Sequence, residues 1–322
     1  MTGAPLIRLE NVHAGYRIGG VQIEAVHGVS LTINDDEILG IAGESGCGKS
    51  TLIKLIYGQY GTHAGGALHL FSGSLTATVD GEDIPGDRLH ARWWDFISYI
   101  PQGSMSVLNP VLRIGDQALD AIPPRHRERG KTALRQELAT FVQQIGLDAD
   151  VLRAYPHQLS GGMRQRVLVA MAAFLNPRVM LADEPTTALD VIMQKRILML
   201  VHELQRKMRN ALVIVSHDLG VHYQLTHRIA IAYAAELVEI GPTAAVFAAP
   251  LHPYTAALVQ ALPRIGETLR REGLEGRPPA LVAPPSGCRF HPRCPEAQSR
   301  CGVEAPVLEE KAPGRFAACH FR

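Results

Sequence analysis

Short apolar runs alternate with longer amphipathic stretches from Leu6 to about residue 240. Three of these runs, at residues 37–43, 179–182 and 212–215, lead directly into glycine or polar residues, which is typical of buried parallel strands. Between residues 191 and 208 the apolar side chains recur at steps of three and four, which predicts an amphipathic helix. A second helical region is predicted between residues 115 and 162. The alternation predicts an α/β fold with a parallel sheet.

Composition places the chain among ordinary globular proteins. It has 322 residues, of which 46% are hydrophobic and 20% charged, and its formal net charge is +1. A nucleic-acid-binding protein is expected to be more basic, so no nucleic-acid partner is predicted. The longest apolar run, residues 167–175, is far shorter than the about 20 residues that span a bilayer, and the first ten residues contain no apolar signal core. We therefore expect a cytoplasmic chain.

Proline and cysteine are concentrated near the carboxyl terminus. More than half of the 21 prolines follow residue 240, and four of the five cysteines are Cys288, Cys294, Cys301 and Cys319. This skew predicts a main domain at residues 1–246 and an extension at residues 247–322. Because a reducing compartment disfavours disulfides, four clustered cysteines point first to a metal. Residues 264–285, which precede these cysteines within the extension, are predicted to be an irregular linker.

A phosphate-binding loop is predicted at residues 43–50, which read GESGCGKS and fit the pattern G-x-x-x-x-G-K-[ST]. The loop falls between a predicted strand and a predicted helix, where backbone N–H groups and the helix N-terminus attract phosphate oxygens. Lys49 can reach the terminal phosphates, and the Ser50 hydroxyl can bind Mg²⁺.

Two further stretches carry chemistry. Asp183 and Glu184 end a buried strand, where one carboxylate can hold Mg²⁺ and the other can orient or deprotonate a water molecule. Ser160 can cap a helix whose first turn exposes the N–H groups of Gly161 and Gly162, which makes a second anion-binding helix start. One nucleotide cannot use both starts within one compact domain. We therefore expect a head-to-tail dimer.

These motifs resemble, in kind and in order, those of the nucleotide-binding subunits of ATP-binding-cassette (ABC) transporters. Residues 43–50 match the Walker A motif, 179–184 the Walker B motif, 159–165 the signature motif and 187–190 the D-loop. Gln102 is at the Q-loop position, His217 at the switch-histidine position, and Tyr16 at that of an aromatic residue that stacks on adenine. The resemblance covers about the first 240 residues. The chain departs from it at Gly103, where an aspartate is usual.

The resemblance implies a P-loop NTPase cassette with a RecA-like parallel-sheet core, an antiparallel β subdomain, a helical signature subdomain and a small irregular extension. It implies catalytic roles for Glu184, His217, Lys49 and Gln102, and Mg²⁺ binding by Ser50, Gln102 and Asp183. ATP would be bound by one group of residues within the chain: Tyr16, Gly43, Glu44, Ser45, Gly46, Cys47, Gly48, Lys49, Ser50, Thr51 and Gln102. Ser160, Gly161 and Gly162 would bind it from the second subunit of the dimer.

Several stretches are similar to the ATPases of oligopeptide and dipeptide importers in particular. They are residues 108–110, 113–117, 155–160, 237–242 and 252–254, together with the cysteine-containing tail. This similarity implies a second ATPase subunit (a paralogue or a second copy), two transmembrane permease subunits, an extracytoplasmic solute-binding protein and a location on the cytoplasmic face of the cell membrane. Nickel, opines and oligosaccharides remain alternative cargoes. A soluble ABC ATPase acting on nucleic acid is the alternative from another class.

The four tail cysteines leave three possibilities open. Their spacing lacks the C-x2-4-C knuckle that is usual in structural zinc sites, and wider spacing suits an iron–sulfur cluster. The resemblance also favours a [4Fe–4S] cluster. Zinc and free thiols are the alternatives, with His291 and His320 as substitute ligands.

Overall fold

The structure, a computed structural model, describes residues 4–61, 67–103, 107–187, 189–262 and 274–322. Residues 264–273 of the predicted linker and Ala188 of the D-loop lie outside these ranges. The described strands, in chain order, are β1 (Pro5–Ile18), β2 (Val21–Asn34), β3 (Ile38–Ala42), β4 (Leu68–Val79), β5 (Glu82–Pro85), β6 (Ile97–Ile100), β7 (Val179–Asp183), β8 (Ala211–Val215), β9 (Arg228–Tyr233), β10 (Glu236–Pro242), β11 (Glu309–Ala312) and β12 (Arg315–Ala317). The described helices are α1 (Lys49–Ile56), α2 (Ile114–Ala121), α3 (Lys131–Gln144), α4 (Gly161–Ala173), α5 (Val191–Met208), α6 (Leu219–Leu225), α7 (Thr243–Ala248) and α8 (Pro253–Gln260).

The central sheet contains the apolar runs seen in the sequence. Within the described residues its strand order is β11-β12-β10-β9-β3-β8-β7-β6, and the strands from β9 to β6 are parallel. Every residue of β3, β7 and β8 is buried, because helices or the second sheet cover both faces. The predicted α/β fold and its parallel sheet are confirmed.

Helix α5 has the bounds that the periodicity predicts. Asp190 caps it, since the Asp190 carboxylate accepts a hydrogen bond from the Met193 backbone N–H at 2.9 Å. The helix buries Ile197, Val201 and Leu204 in the same cluster as residues of β7 and β8. Burying each such side chain stabilises the fold by roughly 1.5–3 kcal/mol.

Two further units flank the central sheet. An antiparallel sheet, ordered β2-β1-β4-β5, shares a hydrophobic cluster with α1 and with the central strands. Helices α2, α3 and α4 form the helical region and share a second cluster with α5. Both correspond to the expected β and helical subdomains of a cassette.

The extension packs on the edge of the central sheet. Strand β12 pairs with β10, and β11 continues the sheet beyond it. Phe290 is 1% exposed and packs edge-on against Tyr233, with ring centroids 5.2 Å apart. The sequence pattern did not predict α7, α8 or this short β-hairpin, because these elements are short and complete a core that the main domain supplies.

In the parts of the chain that the structure describes, no helix is both long enough and apolar enough to cross a membrane.

Candidate active site

The carboxyl ends of the parallel strands meet at a cleft of about 390 Å³. This edge is where α/β sheets bind their ligands. The cleft contains most of the residues expected to bind ATP within the chain, together with Glu184 and three apolar residues, and its lining is Tyr16, Ile23, Ala25, Ser45, Gly46, Gly48, Lys49, Ser50, Thr51, Gln102, Glu184 and Leu281.

The phosphate loop has the tight conformation that its glycines permit. Gly48 precedes α1 with φ +105°, and a Cβ atom at this position would lie 1.9 Å from the Ala25 carbonyl oxygen. No other residue therefore fits without displacing β2. The Lys49 ammonium donates hydrogen bonds to the carbonyl oxygens of Gly43 and Glu44, both at 2.8 Å. The loop thus wraps around the Lys49 ammonium at the N-terminus of a helix, an arrangement that attracts anions.

Asp183 is buried beside the start of α1. Its carboxylate accepts hydrogen bonds from the Ser50 hydroxyl at 3.1 Å and from the Tyr99 hydroxyl at 3.1 Å. Burial raises the pKa of Asp183 despite these bonds, and the neighbouring Glu184 raises it further. A buried carboxylate next to a hydroxyl and a second carboxylate is a set of hard oxygen donors that fits Mg²⁺.

Glu184 is held in a strained backbone conformation, with φ +48°. Its carboxylate accepts hydrogen bonds from the Gln102 side-chain amide at 2.8 Å and from the Thr187 hydroxyl at 3.0 Å. The imidazole of His217 lies 3.8 Å from the same carboxylate and is 72% exposed. These contacts fix the orientation of Glu184, while His217 remains open to the solvent.

Tyr16 lines the cleft beside the phosphate loop. Its hydroxyl lies 3.2 Å from that of Thr51, in the first turn of α1. The aromatic ring, which is partly exposed, therefore has a defined position relative to the loop.

The helix start at Ser160 is not among the described residues that line the cleft. Ser160 caps α4 as expected, and its hydroxyl accepts a hydrogen bond from the Met163 N–H at 3.2 Å. Gly161 begins the helix, and Gly162 packs so closely on α5 that an added Cβ would lie 2.0 Å from the Met193 methyl group. The phosphate loop and this helix start therefore form separate surfaces of one chain.

The extension contacts the phosphate loop directly, which the sequence did not predict. The Arg293 guanidinium is 6% exposed and donates two hydrogen bonds to the Glu44 carboxylate, at 2.7 and 3.0 Å. The Glu44 N–H donates to the Tyr254 hydroxyl at 2.9 Å, and Leu281 lines the cleft. Arg293 is 249 positions from Glu44, so no local pattern could have indicated the pair.

The four tail cysteines line a single cavity, together with His291 and His320. Burial raises the pKa of the Cys288 thiol to about 11. Among the described residues, no three of these side chains bring one ligand atom each within 4.8 Å of one another. A tetrahedral zinc ion with bonds of about 2.3 Å would hold thiolates about 3.8 Å apart. The four thiols therefore share one small cavity of about 20 Å³, without the close grouping of three ligand atoms that a single ion requires.

A Walker-type phosphate loop on a mixed sheet, with an acidic pair at the adjacent strand end, defines the chain as a P-loop nucleotide hydrolase. Residues 26–187 match the family model described as "ABC transporter", and residues 238–301 match "Oligopeptide/dipeptide transporter, C-terminal region". The chain belongs to the ABC transporter ATPases.

Alignments with similar proteins extend over nearly the whole chain. The dipeptide transport ATP-binding protein DppD of Bacillus subtilis is 38% identical over 92% of this chain and 88% of its own length. DppD of Escherichia coli is 37% identical over 98% of this chain and 96% of its own length. The oligopeptide transport ATP-binding protein OppD of Salmonella typhimurium is 36% identical over 98% of this chain and 93% of its own length.

A solved structure supports the fold. The dimeric structure of MJ0796, a bacterial ABC transporter cassette, superimposes with a TM-score of 0.59 at 27% identity, covering 74% of this chain and 98% of that one.

Proposed function

We propose that the chain is the ATP-hydrolysing subunit of a binding-protein-dependent importer of oligopeptides or dipeptides. The observation that carries the proposal is the cleft in which the phosphate loop, Gln102 and Glu184 meet. The match of the extension to the carboxyl-terminal region of peptide transporters supports the cargo class. The chain would lie on the cytoplasmic face of the cell membrane, against two permease subunits that receive solute from an extracytoplasmic binding protein.

ATP with its Mg²⁺ is the proposed substrate of the cleft. The N–H groups of residues 43–48 and the start of α1 would surround the phosphates, and Lys49 would exchange its two loop carbonyls for phosphate oxygens. Ser50, Asp183 and Gln102 are the proposed Mg²⁺ ligands. Tyr16 would stack on the adenine ring.

Glu184 is the proposed group that orients and deprotonates the attacking water. Its hydrogen bonds to Gln102 and Thr187 leave the carboxylate with one orientation, so that it acts without prior reorganisation. His217 is exposed beside it and would contact the γ-phosphate. Because Gln102 touches Glu184, movement of the Q-loop on contact with a permease would change the position of the water-activating group.

The second helix start completes the site from a second subunit. Ser160, Gly161 and Gly162 present the N-terminus of α4 on a surface separate from the cleft, which supports a head-to-tail dimer with two ATP molecules between the subunits. The partner would be a paralogue or a second copy of this chain.

ATPase activity of the reconstituted importer tests this function. With permeases and a binding protein, peptide should raise ATP hydrolysis, and Glu184→Gln should lower the turnover rate about 10²- to 10⁴-fold while ATP is still bound. Glu203→Gln, at an exposed position on α5, is the control and should keep wild-type activity. Stimulation by nickel, opines or oligosaccharides in place of peptide would contradict the cargo, and undiminished hydrolysis by Glu184→Gln would contradict the catalytic role.

We further propose that residues 247–322 form an extension to an ATPase domain at residues 1–246, and that Cys288, Cys294, Cys301 and Cys319 hold a [4Fe–4S] cluster. The cavity that the four thiols share, and the absence of a C-x2-4-C knuckle from their spacing, support this assignment. When bound, the cluster would supply a covalent cross-link among four positions of a segment that has few apolar residues. This role is structural.

The metal content distinguishes a cluster from zinc. Anaerobically purified protein should be brown and contain iron and acid-labile sulfide in equal amounts, and Cys301→Ser should remove both. Cys47→Ser, in the phosphate loop, is the control and should leave the iron in place. One zinc ion without iron, or four free thiols, would overturn the assignment.

A further inference from the structure

A cluster of two histidines and one carboxylate lies in the antiparallel sheet, outside the cleft and outside the cysteine cavity. His13, Glu24 and His27 each offer one ligand atom, and these atoms all lie within 4.8 Å of one another. Among the described residues it is the one such group of three or more metal-ligating side chains. We propose that His13, Glu24 and His27 bind a divalent transition-metal cation of the class of Zn²⁺, Co²⁺ or Ni²⁺.

Irregular strand pairing brings the three side chains together. Glu24 and His27 are three residues apart on β2, so they would point to opposite faces of a regular strand. The register between β1 and β2 shifts on both sides of Ala14, and His13 falls in this bulged region. The N–H of His27 donates to the Ala235 carbonyl oxygen at 2.8 Å instead of pairing with β1. Bulges redirect side chains in this way and often occur beside functional sites.

The donor set indicates the class of cation. Imidazole nitrogens favour zinc and its transition-metal neighbours over Mg²⁺ and Ca²⁺, and two histidines with one glutamate form a known type of zinc site with an open position. The Glu24 carboxylate lies 2.5 Å from His27 Nδ1 and 3.5 Å from His13 Nδ1. Ligand atoms around a tetrahedral zinc ion lie about 3.3 Å apart, so small rotations of the rings would admit one. All three side chains are partly exposed, which leaves a path for the ion and for water.

A second carboxylate faces the far side of one imidazole. The Nε2 atom of His27 lies 3.8 Å from the Glu236 carboxylate, while Nδ1 faces Glu24. A histidine that binds a metal through one nitrogen generally presents the other to a carboxylate, which fixes the ring. Glu236 is itself held by Arg289 of the extension, at 2.9 Å. The group therefore has an outer layer as well as three ligands.

The position of the group connects it to the phosphate loop. Glu24 lies between Ile23 and Ala25, which both line the cleft. The bond from the His27 N–H to the Ala235 carbonyl is followed by one from the Ala235 N–H to the Cys47 carbonyl at 2.9 Å. A bound cation would thus brace β2 and, through the β9–β10 connection, the loop that holds the phosphates.

Cobalt titration of the full-length, untagged protein tests the site. We expect Co²⁺ to bind with the ligand-field absorption of nitrogen and oxygen ligands, without the thiolate-to-cobalt charge transfer that cysteine ligands add. His27→Gln and, separately, Glu24→Gln should each lose one equivalent of bound Co²⁺. His69→Gln, on the neighbouring strand β4 and outside the group, should keep it.

Thermal unfolding provides a second measurement that does not depend on the spectrum. A ligand that binds only the folded state stabilises that state. Zn²⁺ should therefore raise the midpoint temperature of unfolding of the wild type and of His69→Gln, and it should raise the midpoint temperature of His27→Gln by a smaller amount. Both variants should unfold cooperatively without metal, which shows that they are folded. The proposal is overturned if His27→Gln and Glu24→Gln bind as many equivalents of Co²⁺ as the wild type, or if all bound cobalt shows thiolate charge transfer.

Discussion

Glu44 shows how one residue of a recognisable motif depends on contacts that the motif does not contain. The phosphate-loop pattern leaves its second position open, yet in the structure the Glu44 carboxylate is paired with Arg293 and its N–H is bonded to Tyr254. The carboxylate carries negative charge in the loop that is proposed to hold a triphosphate. The Arg293 guanidinium neutralises that charge from the extension.

Removing Arg293 should therefore weaken ATP binding. In Arg293→Met the Glu44 carboxylate, which is 24% exposed, is left unpaired, and its negative charge then repels phosphate. We expect the dissociation constant for ATP, measured with a fluorescent analogue, to rise about 10-fold, equivalent to about 1.4 kcal/mol. Adding Glu44→Gln should restore much of the affinity, because the unpaired charge is then absent.

Arg300→Met is the matched control for this change. Arg300 is also an arginine of the extension that is paired with a glutamate, Glu304. Both of these side chains are 54% exposed, and their hydrogen bonds are to each other and not to the phosphate loop. Exposed pairs contribute little, so this variant should bind ATP as the wild type does. Equal affinity of Arg293→Met and wild type for ATP would show that the Arg293–Glu44 pair has no effect on nucleotide binding.

At the scale of elements, α6 shows how a short helix is fixed by one buried polar side chain. Helix α6 follows His217 and packs on β3 through His222, which is 0% exposed. The His222 Nε2 donates to the Ser216 carbonyl oxygen at 3.1 Å. A Cβ on Gly40 of β3 would lie 2.5 Å from His222 Nδ1, so the glycine makes room for the ring. Burial lowers the pKa of His222 from 6.5 to about 4.

This burial predicts a loss of stability in weak acid. The unfolded chain binds a proton on His222 below pH 6.5 while the folded chain does not until about pH 4. The stabilisation is therefore fully present above pH 6.5 and decreases as the pH falls toward 4. Between pH 7.5 and 5 this one group should lower the free energy of unfolding by about 2 kcal/mol.

Urea unfolding at the two pH values checks this prediction. His222→Gln should be less stable at pH 7.5 and should lose about 2 kcal/mol of the pH dependence. His217→Gln, a change of an exposed histidine five positions earlier, should keep the wild-type pH dependence. An unchanged pH dependence in His222→Gln would mean that other groups carry it.

At the scale of the whole molecule, the chain presents the cleft and the Ser160 helix start, which are the two proposed halves of a nucleotide site, on separate surfaces. The cleft contains the phosphate loop and the acidic pair, whereas the Ser160 helix start lies elsewhere and is shaped by the packing of Gly162 on Met193. The extension is joined to the cleft by the Arg293–Glu44 pair and to the central sheet by β12. The extension, which contains the cysteine cavity, is therefore linked to the phosphate loop by direct contacts.

The two separate surfaces predict dimerisation that depends on ATP. In the Glu184→Gln background, which should bind ATP without turnover, ATP should convert monomers to dimers in sedimentation velocity, either alone or with the paralogous subunit. Adding Ser160→Arg should prevent this, because the side chain blocks the helix start. Thr140→Arg, at an exposed position on α3, is the control and should still dimerise. A chain that stays monomeric with ATP beside its paralogue and permeases would contradict the head-to-tail arrangement.

Much of the fold and the candidate site could be predicted from the sequence because the relevant signals are local. The apolar runs predict β3, β7 and β8, and the helical periodicity predicts α5. The phosphate loop follows β3 directly in the chain, so it must lie at the end of that strand. The strand ends that carry Asp183 and His217 meet the loop because parallel strands share one edge. The proposed catalytic roles of these residues rest on the same local patterns, and the experiments above test them.

Three features follow only from the tertiary structure, because they depend on packing between segments that are distant in the chain. Arg293 reaches Glu44 across 249 positions, and His13 joins Glu24 and His27 only because strand pairing is irregular. The spacing of the cysteines in the chain favours an iron–sulfur cluster over a zinc ion, whereas their position around one small cavity follows from tertiary packing alone. Sequence spacing determines which neighbours are possible along a strand or helix, but contacts between distant segments follow from how bulges, turns and buried faces fit together.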